Sequence, residues 1–226
     1  MAIRTARDAL LRIFFQRCFY LFVLLMTMIA VAPFMPTTPS GRVVTNLINA
    51  FLVVATVAAV GRSLFSFVLV LLLAVPTLGF QWMGIGDDNR TYLAYSWMFG
   101  ATLYFVTVVY LLRYVFRPEV MTTDKLFGAA AGYLMLCVLW AYFYVLVDFF
   151  YPDAFQIGGQ PTPLGFLDAL YLSVTVLTST GFGDIAPLAR QARAICMVQE
   201  IVGALFLAIL IARLAGVYPP RGSAAE

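Results

Sequence analysis

The stretch TSTGFGD, residues 178–184, separates two long apolar runs and contains two glycines, three hydroxyl groups, one aromatic ring and one acid. Its glycines, Gly181 and Gly183, tolerate positive φ angles that other residues rarely adopt. Successive carbonyl groups of an ordinary strand point in opposite directions, whereas alternating left- and right-handed residues point them all to one side. We therefore predict that this segment, called the GFG loop below, carries a row of carbonyl oxygens along one edge.

The apolar run before the loop, residues 166–177, is too short to cross a bilayer, because a spanning helix needs about 20 residues. Thr162 is a suitable N-cap and Pro163 a suitable first helical residue, so we expect a half-length helix that begins there. Its partly negative C-terminal end would point toward the membrane centre and favour a cation. Non-helical backbone at membrane depth needs protein or water around it, so helix and loop are predicted to form a re-entrant element.

The composition places the whole chain in a membrane. Of its 226 residues 63% are apolar and 11% charged, and the mean hydropathy is +0.94, which is far from the values of soluble domains. There is no histidine, which excludes histidine acid–base chemistry and histidine metal sites. The three cysteines, Cys18, Cys137 and Cys196, are odd in number and far apart, so they predict neither disulfides nor a metal cluster. We expect neither an enzyme nor a bound cofactor.

The predicted fold class is an all-α integral membrane protein with six transmembrane helices plus the re-entrant element. The six apolar windows are residues 18–35, 43–60, 64–83, 92–112, 127–147 and 194–214, each near the length that crosses a bilayer. With both termini in the cytoplasm, ten basic residues lie inside and four outside, as the positive-inside rule requires. A cleaved signal peptide ending near Pro33 is the alternative for the first window.

The GFG loop resembles the selectivity filter of potassium channels, whose loop reads TVGYG. Residues 169–215 as a whole resemble the pore helix, filter and inner helix of bacterial potassium channels. The resemblance implies a filter of Thr178, Ser179, Thr180, Gly181, Phe182, Gly183 and Asp184, with potassium ions bound at Ser179, Thr180, Gly181 and Phe182. It also implies a gating hinge at Gly203 and a cavity lined by Ala204, Leu207 and Ile211.

Several positions depart from the family pattern. Ser179 replaces a threonine at the innermost ion site, and Thr180 adds a hydroxyl where valine is common. Phe182 replaces a tyrosine and Leu172 the tryptophan that bonds it, so donor and acceptor are lost together. Thr175 replaces a glutamate that pairs with the aspartate after the filter. Asp184 therefore needs another partner, and the outer end of the filter is expected to be less rigid.

One copy of the loop cannot close a ring, so the resemblance implies four subunits around a central axis. The expected domains are a basic cytoplasmic segment (1–17), a peripheral four-helix domain (18–117), a pore domain (118–217) and a short cytoplasmic tail (218–226). The fourth window holds no basic residue before Arg113, so it lacks the charges of a voltage sensor. The expected surroundings are the plasma membrane, with anionic lipid or simple topogenic charge explaining the basic N-terminus. We expect no nucleic-acid partner.

Glu200 is a further candidate, because an acid within a span is costly unless it is paired or hydrated. One interpretation is a carboxyl bonded to the hydroxyls of Ser173, Thr175 or Thr178. The other is a ring of four carboxylates that raises local potassium near the filter. The predicted function is thus a potassium-selective channel subunit with weak voltage dependence. The alternatives are a weakly selective cation channel and a non-conducting assembly subunit.

Overall fold

The computed structural model describes residues 17–31, 34, 39–60, 64–86, 90–117 and 122–217. The basic segment and the tail predicted at the two ends therefore lie almost entirely outside the described residues. The elements in chain order are the helices α1 (Arg17–Val31), α2 (Pro39–Val60), α3 (Leu64–Gly86), α4 (Arg90–Val115), α5 (Thr123–Phe150), α6 (Phe166–Leu177) and α7 (Arg190–Val217), with the short strands β1 (Phe155–Ile157) and β2 (Gln160–Pro161) before α6 and β3 (Ile185–Pro187) after the GFG loop.

Four helices are long and apolar enough to cross a membrane, over Ser66–Gly84, Thr91–Val115, Thr123–Phe150 and Arg190–Arg213. They correspond to the third, fourth, fifth and sixth predicted windows. The described residues of the first two windows form most of α1 and α2, but the apolar parts of these helices, Cys18–Val31 and Asn46–Val57, are shorter than a span. Pro76 lies inside α3 without ending it.

Helix α5 forms the centre of the protein and packs against α1, α4, α6 and α7. Its buried face includes Met135, Cys137, Val138 and Ala141, which belong to one large apolar core. The glycines of α5 permit the close packing. A Cβ at Gly128 would lie 3.3 Å from Val115 Cγ2 of α4. This arrangement holds α6 and α7 against the same helix.

The peripheral helices enclose an uncharged polar cluster. Asn49 Nδ2 of α2 donates to Gln81 Oε1 of α3 at 2.8 Å, and Gln81 Nε2 donates to Asn46 Oδ1 at 2.7 Å. The Tyr104 hydroxyl of α4 donates to Asn49 Oδ1 at 3.2 Å. Buried amides satisfied in this way fix the packing of α2, α3 and α4. The cluster contains no charge that a membrane voltage could move.

Three short strands form an antiparallel sheet in the order β2-β1-β3. The prediction of an all-α chain did not include this sheet. Gly158 and Gly159 join β1 to β2 with φ angles of 58° and 83°, as a two-residue hairpin turn requires. Pairing of Phe155 with Pro187 ties the segment before α6 to the segment after the GFG loop.

Candidate functional site

The half-length helix has the predicted extent at its C-terminal end but a different start. It begins at Phe166, with Gly165 as its N-cap, so the prediction that Thr162 caps it was wrong. The Thr162 hydroxyl instead donates to Gln160 O at 3.0 Å, which leaves it in the turn after β2. Burial raises the pKa of the Asp168 carboxyl in the first turn, and the nearby Gly165 amide lowers it in part.

The GFG loop alternates in backbone handedness. Gly181 and Gly183 have φ angles of 54° and 80°, and Ser179 has 55°. Alternation is what the glycines predicted, but the left-handed serine was not foreseen, because a non-glycine residue rarely adopts this region. An added Cβ would meet no atom within 4 Å at either glycine. Their requirement for glycine is therefore one of backbone conformation and not of space.

Hydrogen bonds tie the loop amides back onto α6. The amide of Ser179 donates to Val176 O at 3.0 Å, and those of Thr180 and Gly181 donate to Thr175 O at 2.8 and 3.2 Å. The N–H and C=O groups of a trans peptide point in opposite directions, and none of the described peptide bonds is cis. The carbonyl groups of residues 178, 179 and 180 therefore all point away from the helix. Such a row of oxygens can replace water around a cation.

Hydroxyl groups reinforce the same junction. Thr178 Oγ1 lies 2.8 Å from Val174 O and 2.8 Å from Thr180 Oγ1. The Thr178 hydroxyl can donate to Val174 O and accept from Thr180. The hydroxyl that Thr180 adds thus has a partner within the loop.

The end of the loop near Asp184 is held by a ring contact and a backbone hydrogen bond. Phe182 stacks on Tyr171 with the ring centroids 6.4 Å apart and the planes 8° from parallel. Partial desolvation, and then the nearby negative charge of the Asp184 carboxylate, raise the pKa of the Tyr171 phenol. The Gly158 amide donates to Asp184 O at 2.8 Å, so the sheet holds the backbone there. The partner predicted for the Asp184 carboxylate stays a prediction, with the Tyr171 phenol as the nearby group whose pKa it raises.

Gly203 lies against the C-terminal end of α6. A Cβ at this position would lie 2.4 Å from Leu177 O and 3.0 Å from Leu177 Cδ1. The same carbonyl accepts a hydrogen bond from the Tyr133 hydroxyl at 3.0 Å. Gly203 therefore has a packing role, since only a residue without a side chain fits here, and its role as a gating hinge stays a prediction.

Glu200 does not bond to the hydroxyls proposed for it. Those of Ser173, Thr175 and Thr178 donate to backbone carbonyl groups, and Glu200 is exposed in the monomer. The first interpretation of Glu200 was therefore wrong. The residue that reaches Ser173 is Gln199, its neighbour, with Nε2 2.8 Å from both Ser173 O and Ser173 Oγ.

The predicted cavity residues Ala204, Leu207 and Ile211 are exposed in the monomer, and their spacing places them along one face of α7. Every residue of the GFG loop is exposed as well. The monomer thus leaves the loop and the face of α7 uncovered by other described residues.

Comparisons with known proteins agree with this geometry. Residues 131–218 match the family model described as an ion channel, a stretch that covers less than half of the chain and includes α6, the GFG loop and α7. An uncharacterized protein of Methanothermus fervidus is 43% identical over 44 residues, which are 20% of this chain and 7% of that protein. No solved structure matches the chain. The half-length helix, the loop and the family match together support an ion channel family for this membrane protein.

Proposed function

We propose that the chain is a subunit of a potassium-selective channel that conducts passively through a tetrameric pore. The observation that carries the proposal is the direction of the loop carbonyls, which point away from α6 because the amides of Ser179, Thr180 and Gly181 bond to it. Potassium ions would exchange their water for these oxygens and for the Ser179 hydroxyl at the innermost site. The apolar helices and the ion channel match support a passive route across the membrane.

The tetramer follows from the single loop. One loop supplies one side of a coordination ring, so closure requires several copies around an axis, and the resemblance to potassium channels gives four. Met197, Val198 and Ile201 of α7 are each more than half exposed in the monomer. A protein surface this apolar needs lipid or another subunit to cover it. We infer that α7 meets α6 of the next subunit on its outer half and lines the cavity on its inner half.

The membrane arrangement we propose has six spans, both termini in the cytoplasm, and the GFG loop facing the outer side of the plasma membrane. The two shorter apolar helices, α1 and α2, would be the first two of these spans. Helix α4 has its first charge after Arg90 at Arg113, in its last turn. Opening should therefore depend weakly on voltage, because α4 carries no charge between Arg90 and Arg113 for the field to move.

Flux into liposomes tests the proposal. The purified chain is reconstituted alone, and uptake of rubidium is compared with uptake of sodium. We expect rubidium to enter far faster than sodium, because sodium is too small for carbonyls spaced for a larger ion. Equal uptake of both ions would favour the weakly selective alternative. Absence of any flux from a folded tetramer would favour the assembly subunit.

A variant with a matched control excludes leak through damaged liposomes. Gly181→Ala forces a side chain onto a residue with a φ of 54° and should abolish rubidium uptake. Gly79→Ala, in α3, meets nothing within 4 Å and should leave uptake unchanged. Equal rubidium uptake by both variants would show that the flux does not pass through the GFG loop.

A further inference from the structure

Gln199 lies at the centre of a buried hydrogen-bond network that joins three helices. It is 0% exposed on α7, and its Nε2 donates to both Ser173 O and Ser173 Oγ of α6 at 2.8 Å. Its Oε1 accepts a hydrogen bond from the Tyr144 hydroxyl of α5. The amide nitrogen of Gln199 therefore bonds to α6 and the amide oxygen to α5.

Ser173 completes the connection. Its hydroxyl donates to Cys137 O of α5 at 2.7 Å while it accepts from Gln199. Ser173 and Tyr144 are each 0% exposed. A fully satisfied polar network in an apolar interior fixes one arrangement, because removing any member leaves a buried partner without a hydrogen bond.

The network acts on the part of α6 that holds the GFG loop. Ser173 is followed directly by Val174, Thr175 and Val176, whose carbonyls accept the amides of the first four loop residues. A shift or rotation of α6 would move these acceptors and, with them, the direction of the loop carbonyls. The position of the last turn of α6 therefore determines the direction of the carbonyl oxygens of the GFG loop.

We propose that Gln199 is a positioning residue for ion selectivity, which sets the loop carbonyls by fixing α6 between α5 and α7. This inference rests on the proposed function as a potassium-selective channel. Gln199 touches no ion; it acts through Ser173 and the last turn of α6. Glutamine suits the task because one side chain supplies an acceptor for Tyr144 and two donors for Ser173.

The test compares Gln199→Met with Val145→Ala by two measurements. Methionine retains the length and volume of glutamine but bonds to neither Ser173 nor Tyr144. Val145 is a buried neighbour of Tyr144, 1% exposed, and its truncation leaves a cavity without breaking the network. The measurements are the potassium-to-sodium permeability ratio, from reversal potentials, and the midpoint of thermal unfolding of the solubilised protein.

We expect both variants to unfold at lower temperature, but only Gln199→Met to lower the permeability ratio. The expected decrease is at least about tenfold, because Gln199 makes three buried hydrogen bonds and the loss of one changes an equilibrium by about that factor. The double variant Gln199→Met with Tyr144→Phe should lower the unfolding midpoint by less than the sum of the two single variants. The reason is that Tyr144→Phe removes the hydroxyl that Gln199→Met leaves without an acceptor. If Gln199→Met does not assemble, Ser173→Ala removes one hydroxyl of the network and should lower the ratio in the same direction.

An unchanged ratio in Gln199→Met, with unfolding shifted as in Val145→Ala, would reduce Gln199 to a purely structural residue and overturn the inference. The same holds for an unchanged ratio in Ser173→Ala if that variant is used. A wild-type channel that does not distinguish potassium from sodium would instead overturn the proposed function. The two failures are therefore distinct.

Discussion

Substituting Gly203 by alanine separates packing from hinge bending. The new methyl group would lie 2.4 Å from Leu177 O and 3.0 Å from Leu177 Cδ1. The closest atom is a backbone carbonyl at the end of α6 that also accepts the Tyr133 hydroxyl, so it cannot turn aside as a side chain would. Overpacking of this kind costs about 1–3 kcal/mol, while alanine gains about 1 kcal/mol over glycine in a helix.

The net decrease in the free energy of unfolding is about 1 kcal/mol per subunit, or about 4 kcal/mol over four subunits. It is measured as a lower midpoint of thermal unfolding of the solubilised protein. Gly79→Ala is the control, since nothing lies within 4 Å of its added Cβ, and it should leave the midpoint unchanged or raise it. A Gly203→Ala protein as stable as wild type would refute the packing role and leave only the hinge.

Other changes should separate the parts of the site. Alanine at Gly181 or Gly183 would have to adopt a left-handed backbone conformation, which costs about 1–2 kcal/mol. Selective current should therefore vanish while circular dichroism shows unchanged helix content. Retained selectivity would contradict the alternating backbone handedness of the GFG loop as the basis of the site. Tyr171→Phe removes the phenol near Asp184 and keeps the ring that stacks on Phe182. It should lower the potassium-to-sodium ratio in reversal potentials, and an equal ratio would exclude this hydroxyl as a support. Glu200→Gln should lower single-channel current at low potassium and little at high potassium, where salt screens the charge; equal current at every concentration would remove Glu200 from the site. Conductance should vary weakly with voltage in planar bilayers, and a steep curve would show that a charge outside the uncharged stretch of α4 between Arg90 and Arg113 senses the field.

The sequence predicted the elements whose signal is local. The end of the half-length helix at Leu177 followed from an apolar run that stops at three hydroxyl residues, and positive φ at Gly181 and Gly183 followed from their lack of a side chain. The predicted start of the helix was wrong because the Thr162 hydroxyl can either cap a helix or bond within a turn. Its bond to Gln160 O in the turn after β2 competes with capping.

Contacts between distant segments could not be predicted in this way. Gln199 and Glu200 are neighbours in the chain but lie about 100° apart around α7, and only the fold shows which of them faces Ser173. The sequence analysis selected Glu200 because of its charge, whereas Gln199 beside it showed only an uncharged polar side chain in an apolar span. The left-handed Ser179 depends on amides that bond to α6, and the strands β1–β3 are too short to produce a periodic pattern.

The reversal potential of the reconstituted wild-type protein tests the central claim most directly. With potassium on one side of a planar bilayer and sodium on the other, the carbonyl row of the GFG loop predicts a potential near that of a membrane permeable to potassium alone. A reversal potential near zero under these conditions would contradict potassium selectivity and the role given to the loop.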